Sequence, residues 1–186
     1  MRARAEATIE DLQHMAGKAE LVDGEIVPMS PTGWLPGYSS YRITRSLDDY
    51  AERTGRGQTV PDNVAFVVST PRKRTFSPDA AYYIGEVGAG FIEGAPLFAV
   101  EVRSEGDYGP AAEREIAAKR TAYFASGTQV VLDVDVLREE VVRVYRISDP
   151  DHATIYRRGE IAEAEPAVPE WTLAVDSIFP RPRSQP

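Results

Sequence analysis

The chain has 186 residues, which fits one domain with a real hydrophobic core, and its composition (42% hydrophobic, 27% charged) is that of a globular rather than a disordered protein. The absence of cysteine excludes disulfides and thiolate metal sites and suits a reducing, cytoplasmic location. The net charge of −8 argues against a protein that coats nucleic acid, although an enzyme with a local basic patch is compatible with it.

The first third of the chain is predicted to form two helices separated by a hairpin. Thr8 and Asp11 have the spacing of a capping box, which opens a helix. Asp23-Gly24 between two apolar runs is typical of a two-residue hairpin turn. The predicted elements are, in chain order, a helix over 9–16, a hairpin around 23–24, a loop over 31–37 and a helix over 39–53.

Strands dominate the rest of the chain. Apolar runs bounded by turn residues predict strands over 59–69, 75–84 and 95–104, a helix over 111–126, strands over 128–135, 140–148 and 152–158, and a last strand and turn over 170–180. This order favours a central mixed β-sheet flanked by helices, α/β or α+β. We expect one domain over 1–180 and a disordered tail over 181–186. No membrane partner is expected, because no apolar run approaches 18 residues and the N-terminus lacks the apolar core of a signal peptide.

The stretch LFAVEVRS, residues 97–104, places a carboxylate inside an apolar run. Alternation along a strand puts Phe98 and Val100 on the core face, and it puts Glu101 and Arg103 on the other face, about 6.5–7 Å apart. Because an isolated charge in a dry interior is very costly, Glu101 needs a partner. Two interpretations stay open: an ion pair with Arg103 at a wet sheet edge, or a functional acid.

Three more charged residues bear on this choice. Asp79 lies in the strand stretch FSPDAAYY, and Glu20 begins the first hairpin strand. Lys119 shares an apolar stripe with Tyr123 on the helix that follows the Glu101 strand, so it should point toward the sheet. Taken singly, each has a structural explanation: a bulge or edge position for Asp79, a solvated rim for Glu20 and a snorkelling stem for Lys119.

Together these residues have what metal-dependent phosphodiester hydrolysis requires. Carboxylates bind a hard divalent cation, the cation activates phosphate and water, and a nearby ammonium stabilises the extra charge on the phosphate. Two histidines are too few for a histidine-rich zinc site, so Mg²⁺ or Mn²⁺ is the expected metal. We expect Asp79, Glu101 and Lys119 to converge in one cleft, with Glu20 at its rim.

Four segments, in this order, also carry a family resemblance: ELVDGEIVPMSP (20–31), PDAAYY (78–83), VEVRS (100–104) with Asp107 beyond it, and KRTAYFASG (119–127). From about residue 9 to 179 the sequence resembles the Uma2 family, formerly DUF820, of the PD-(D/E)xK nuclease superfamily. The resemblance implies a restriction-endonuclease-like fold and a Mg²⁺- or Mn²⁺-dependent endonuclease acting on DNA.

The resemblance also implies roles for individual residues. Asp79 matches the acid of the PD element, Glu101 the second acid, and Glu20 the N-terminal acid of related nucleases, so that all three are implied metal ligands. Arg103 occupies the lysine position of the ExK triplet, and Lys119 would supply the missing lysine from the helix. Which of these two cations is catalytic stays open. Three positions depart from the family pattern: Ser40 near the usual histidine, Ser104-Glu105 for Ser-Pro, and Val131-Leu132 for Tyr-Trp.

Three functions therefore compete. The first is a metal-dependent DNA endonuclease, which we expect to be a homodimer, because cutting both strands of a duplex needs two sites. The second is a non-catalytic binding or dimerisation protein that keeps an ion-pair network at the old site. The third is a metal-free hydrolase that uses Asp79 and Glu101 as an acid/base pair. The basic run PRKRT, residues 71–75, is either a nucleic-acid contact or a solvated hairpin tip.

Overall fold

The computed structural model describes residues 6–68 and 74–180, so the predicted tail and most of the PRKRT run lie outside the described residues. The described residues form α1 (Ile9–Gln13), β1 (Ala19–Val22), β2 (Glu25–Pro28), α2 (Trp34–Thr54), β3 (Gln58–Pro61), β4 (Phe66–Val68), β5 (Arg74–Phe76), β6 (Ala80–Tyr83), β7 (Ile92–Glu93), β8 (Phe98–Val102), α3 (Pro110–Ala125), β9 (Val130–Asp135), β10 (Val141–Arg146), β11 (Asp149–Arg157), β12 (Ile161–Ala164), β13 (Val168–Ala174) and a 3₁₀ turn (Val175–Ile178). Within these ranges no helix has the length and apolar character needed to cross a membrane.

The largest sheet of the described residues has six strands, in the order β11-β10-β9-β8-β6-β3. β8 and β9 run parallel with α3 between them in the chain, whereas the other neighbouring strands are antiparallel. This confirms the predicted mixed sheet. The register pairs Ala80 with Val100, so the start of β6 lies beside the end of β8.

Both faces of this sheet are buried. On one face, α2 contributes Leu47 to a core that includes Val100. On the other face, α3 contributes Tyr123 to a core that includes Ala99 and Phe76. Helices and a small second sheet cover the central strands on both sides, so the sequences of these strands are almost entirely apolar. The predicted core face of the Glu101 strand is confirmed.

The second helix begins earlier than predicted. The segment over 31–37 was expected to be a loop, but α2 starts at Trp34 and includes Pro36 in its first turn. Proline is tolerated there because the first N–H groups of a helix have no intrahelical acceptor. The predicted capping box at Thr8 and Asp11 is confirmed, although α1 ends at Gln13.

Two predicted strands are each divided in two. A turn with Asn63 at φ 65° separates β3 from β4, and the segment over 77–79 separates β5 from β6. Asp79 therefore precedes β6 rather than lying inside a strand. The short strands β7 and β12 were not predicted, because runs of two and four residues carry too little periodicity to be recognised.

Candidate active site

Asp79 and Glu101 are brought together where β6 begins and β8 ends. The backbone N–H of Asp79 donates to the carbonyl of Val100 at 2.9 Å, and the N–H of Val102 donates to Oδ2 of Asp79 at 2.8 Å. These two bonds involve the residues on either side of Glu101. The antiparallel register thus fixes one acid beside the other on a rigid part of the sheet.

Lys119 reaches from α3 to two carboxylates. Its Nζ lies 2.9 Å from Glu101 and 3.0 Å from Oε1 of Glu20. Burial alone would lower the pKa of Lys119, but attraction to Glu101 and Glu20 outweighs burial and raises this pKa. The helical stripe therefore directs Lys119 inward, as predicted, and its ammonium stays charged there.

Glu20 is buried at 6% exposure, so its predicted position at the rim is wrong. Its Oε1 accepts a hydrogen bond from the backbone N–H of Ser77 at 2.7 Å in addition to its contact with Lys119. A carboxylate is tolerated inside the protein when hydrogen bonds and an opposite charge replace water. The sequence alone did not reveal Ser77 as a partner, because 57 residues separate it from Glu20.

The electrostatic environment of Glu101 differs from that of a surface acid. The pKa of Glu101 is raised to about 7: burial and the negative charges of Asp79 and Glu20 raise it, and Lys119 and Tyr123 oppose the increase. The Tyr123 hydroxyl donates to Oε1 of Glu101 at 2.6 Å. Burial next to Glu101 raises the pKa of Tyr123, so its hydroxyl remains a donor. Additional positive charge at this site would stabilise the ionised carboxylates.

Lys18 is a second cation of the site, and no motif in the sequence singled it out. Its Nζ lies 2.6 Å from Oδ1 of Asp62 and 3.0 Å from Oδ1 of Asp79. Burial lowers the pKa of Lys18, but the two aspartates raise it by more. Lys18 precedes Glu20 by two residues, and residues two apart in an extended chain have their side chains on the same face. No local sequence pattern indicates that Asp62 belongs to the site, because its partner Lys18 is 44 residues away in sequence.

Asp79 opens onto a cleft of about 240 Å³ between α2 and the sheet, which we call the Asp79 cleft. Its lining residues are Thr32, Pro36, Gly37, Ser40, Tyr41, Thr44, Pro61, Asp62, Asp79 and Val102. The Ser40 hydroxyl donates to the backbone carbonyl of Asp79 at 2.8 Å. Ser40, near which the resemblance places a histidine, therefore contacts the candidate site directly.

Arg103 has different partners from Lys119. Its Nε and Nη2 each lie 2.7 Å from an oxygen of Asp133, and its guanidinium also contacts Glu113 in the first turn of α3. Hydrogen bonding to Asp133 raises the pKa of Arg103. Among the described residues, Glu101 pairs with Lys119 rather than with Arg103. Arg103 thus links the end of β8 to β9 and α3.

The donor chemistry of the site fits Mg²⁺ or Mn²⁺. Asp79, Glu101 and Glu20 offer carboxylate oxygens, which these hard cations prefer. In the described part of the chain, no three potential ligands already have the arrangement of a metal site. The ammonium groups of Lys18 and Lys119 lie against the carboxylates instead. A carboxylate oxygen would have to leave its ammonium partner when a cation binds.

Comparison with known proteins identifies the family. The model of the Uma2 family, described as "putative restriction endonuclease", matches residues 7–176. A crystal structure from Anabaena variabilis ATCC 29413, described as a "putative nuclease belonging to DUF820", has a TM-score of 0.73 to this chain, with 15% identity over 92% of this chain and 97% of that one. At this identity the likeness shows the fold alone, and no curated protein matches the sequence. Because the family model matches most of this chain, the chain belongs to the Uma2 family.

Proposed function

We propose that this protein is a Mg²⁺- or Mn²⁺-dependent endonuclease that hydrolyses phosphodiester bonds of DNA. One observation carries the proposal: Asp79 and Glu101 meet at the adjacent ends of two central strands, and the ammonium of Lys119 lies 2.9 Å from Glu101. Two acids on a rigid sheet, with a cation that reaches Glu101 from α3, form the arrangement that phosphoryl chemistry needs. The description of the family as a restriction endonuclease supports the same reaction class.

Each proposed role follows from the contacts of the residue. Asp79, Glu101 and Glu20 are the proposed metal ligands, because Glu101 and Glu20 share the ammonium of Lys119. Asp79 lies beside Glu101 at the end of β8 and pairs with the separate ammonium of Lys18. When bound, a divalent cation supplies Lewis-acid activation of phosphate and water. Lys119 then provides a fixed positive charge for the phosphate oxygens as their negative charge increases.

Arg103 is proposed to position Lys119 rather than to act on the phosphate. Its guanidinium is occupied by Asp133 and Glu113. Glu113 is in the first turn of α3, the helix that carries Lys119. Arg103 therefore holds the start of that helix against the sheet, and Lys119 is the proposed catalytic cation.

A non-catalytic protein of the same fold is the second candidate. The observation that favours it is the pairing of Lys18 with Asp79 and of Lys119 with Glu101, which already neutralises both carboxylates without a metal. A binding or dimerisation protein would need no more than this network. The homodimer itself remains a prediction, which a mass measurement in solution would test.

Cleavage of a supercoiled plasmid with added Mg²⁺, added Mn²⁺ or a chelator separates these functions. Asp79→Asn tests the site, and Asp151→Asn is the matched control, because Asp151 is exposed on the edge strand β11. The nuclease hypothesis predicts metal-dependent cleavage by the wild type and the control, and none by Asp79→Asn. Equal cleavage in chelator would support the metal-free acid/base pair, and absence of cleavage under all conditions would support the non-catalytic protein.

A further inference from the structure

The first half of α2 presents aromatic side chains to solvent. Trp34, Tyr38 and Tyr41 are spaced four and three residues apart, which places them on one side of the helix. Trp34 is 68% exposed and Tyr41 is 57% exposed. The rings of Trp34 and Tyr38 stack with their centroids 5.1 Å apart and their planes 16° apart. A helix packs against its core with the opposite face, so folding does not account for this aromatic surface.

This aromatic surface is continuous with the proposed active site. Tyr41 lines the Asp79 cleft, and its neighbour Ser40 donates a hydrogen bond to Asp79. A linear polymer whose backbone enters the cleft could therefore stack its neighbouring side groups on the rings of Tyr41, Tyr38 and Trp34.

Two arginines extend the same helix surface. Arg42 and Arg45 line a second cleft of about 490 Å³, together with Asp49 and residues near the 3₁₀ turn. Neither arginine forms an ion pair with any residue of 6–68 or 74–180. Guanidinium groups without an ion-pair partner in that part of the chain, on a protein with a net charge of −8, favour a polyanionic partner at this place. The sequence turns acidic beyond Arg45, which limits the basic surface to the middle of α2.

We infer that this surface, formed by Trp34, Tyr38, Tyr41, Arg42 and Arg45, binds single-stranded nucleic acid. Bases stack on the aromatic rings, and the arginines contact phosphates. A single strand fits better than a duplex, because stacking requires base faces that a duplex hides. The inference rests on the proposed function in one respect, which is that the bound strand continues into the Asp79 cleft. It adds that the substrate near the cut has unpaired bases.

Binding can be measured without cleavage, in chelator, by the anisotropy of a labelled oligodeoxythymidylate and of a hairpin duplex of equal length. Tyr41→Ala and Trp34→Ala are each expected to weaken binding of the single strand roughly 5- to 150-fold, the range for loss of one stacked base. Arg45→Gln should reduce the slope of log affinity against log salt by about 0.7. Ile161→Ala and Arg157→Gln, both exposed and outside α2, are the matched controls and should change neither quantity.

Tryptophan fluorescence gives an independent readout. Trp171 is buried at 2% exposure, so quenching by the oligonucleotide reports on Trp34. We expect saturable quenching by the single strand. Equal affinity for duplex and single strand, or unchanged binding by the Trp34 and Tyr41 variants, would overturn the inference. Conversion of a dimer to a monomer by Trp34→Ala with unchanged binding would instead assign the surface to a second copy of the chain. Because no metal is present, failure of cleavage leaves this result unaffected.

Discussion

The substitution Lys119→Met tests the electrostatic account of the site. It keeps an apolar stem but removes an ammonium that lies 2.9 Å from Glu101 and 3.0 Å from Glu20. The side chain of Glu20 is 7% exposed and that of Glu101 is 26% exposed, so water can replace only part of the lost interaction. Removal of one partner from a buried ion pair typically lowers the free energy of unfolding by about 3–5 kcal/mol.

The loss should depend on pH. A carboxyl group whose pKa is higher in the native state binds its proton more tightly there than in the unfolded state, so stability falls as pH rises. The pKa of Glu101 is already raised to about 7, and loss of Lys119 would raise it further. We therefore expect a destabilisation of about 3 kcal/mol at pH 5.5, increasing toward about 5 kcal/mol at pH 8.5.

Urea unfolding followed by circular dichroism, in metal-free buffer, measures this loss. Arg114→Met is the matched control, because Arg114 is exposed on the same helix, and its effect should stay within about 0.5 kcal/mol. If Lys119→Met and Arg114→Met unfold at the same urea concentration at both pH values, the ammonium of Lys119 does not neutralise the buried acids. Under conditions where Lys119→Met is folded, its cleavage rate should be lower by about 10²–10³.

Three further predictions concern the residues around Lys119. Between about pH 4.5 and 7 the wild type should lose on the order of 3 kcal/mol of unfolding free energy relative to Glu101→Gln, because the unfolded state releases the Glu101 proton first; parallel urea-unfolding profiles against pH would contradict this. Lys18→Met frees Oδ1 of Asp79, so Mn²⁺ affinity measured by calorimetry should increase, and an unchanged affinity would show that Lys18 does not compete. Arg103→Ala leaves Asp133 buried without its cation and should lower the free energy of unfolding by about 3–5 kcal/mol; a large loss of cleavage with intact stability would make Arg103 the catalytic cation.

Local periodicity was sufficient to predict much of the fold and part of the site. Alternation along the strand assigned Glu101 to the face opposite Phe98 and Val100, and the helical stripe directed Lys119 inward. Asp23-Gly24 predicted the hairpin, whose register pairs Val22 with Glu25. Each of these inferences depends on residues close in sequence, where spacing determines direction.

The rest depended on contacts between distant segments. Asp79 is fixed beside Glu101 by bonds to the backbone of β8, and Lys18 joins it from 61 residues away. The burial of Glu20 requires the N–H of Ser77, which no local pattern indicates. A sequence pattern can show that a charged residue needs a partner, but it does not identify a partner supplied by another strand.

Metal binding and cleavage measured on the same preparation test whether Asp79 holds a catalytic metal. Calorimetry with Mn²⁺ and plasmid cleavage over the same range of Mn²⁺ concentrations would be compared for the wild type, Asp79→Asn and Asp151→Asn. We expect cleavage to follow metal occupancy in the wild type and in Asp151→Asn, and we expect both to be lost in Asp79→Asn. Cleavage that persists in Asp79→Asn, or metal binding without any cleavage by the wild type, would rule out a metal-dependent endonuclease that uses Asp79.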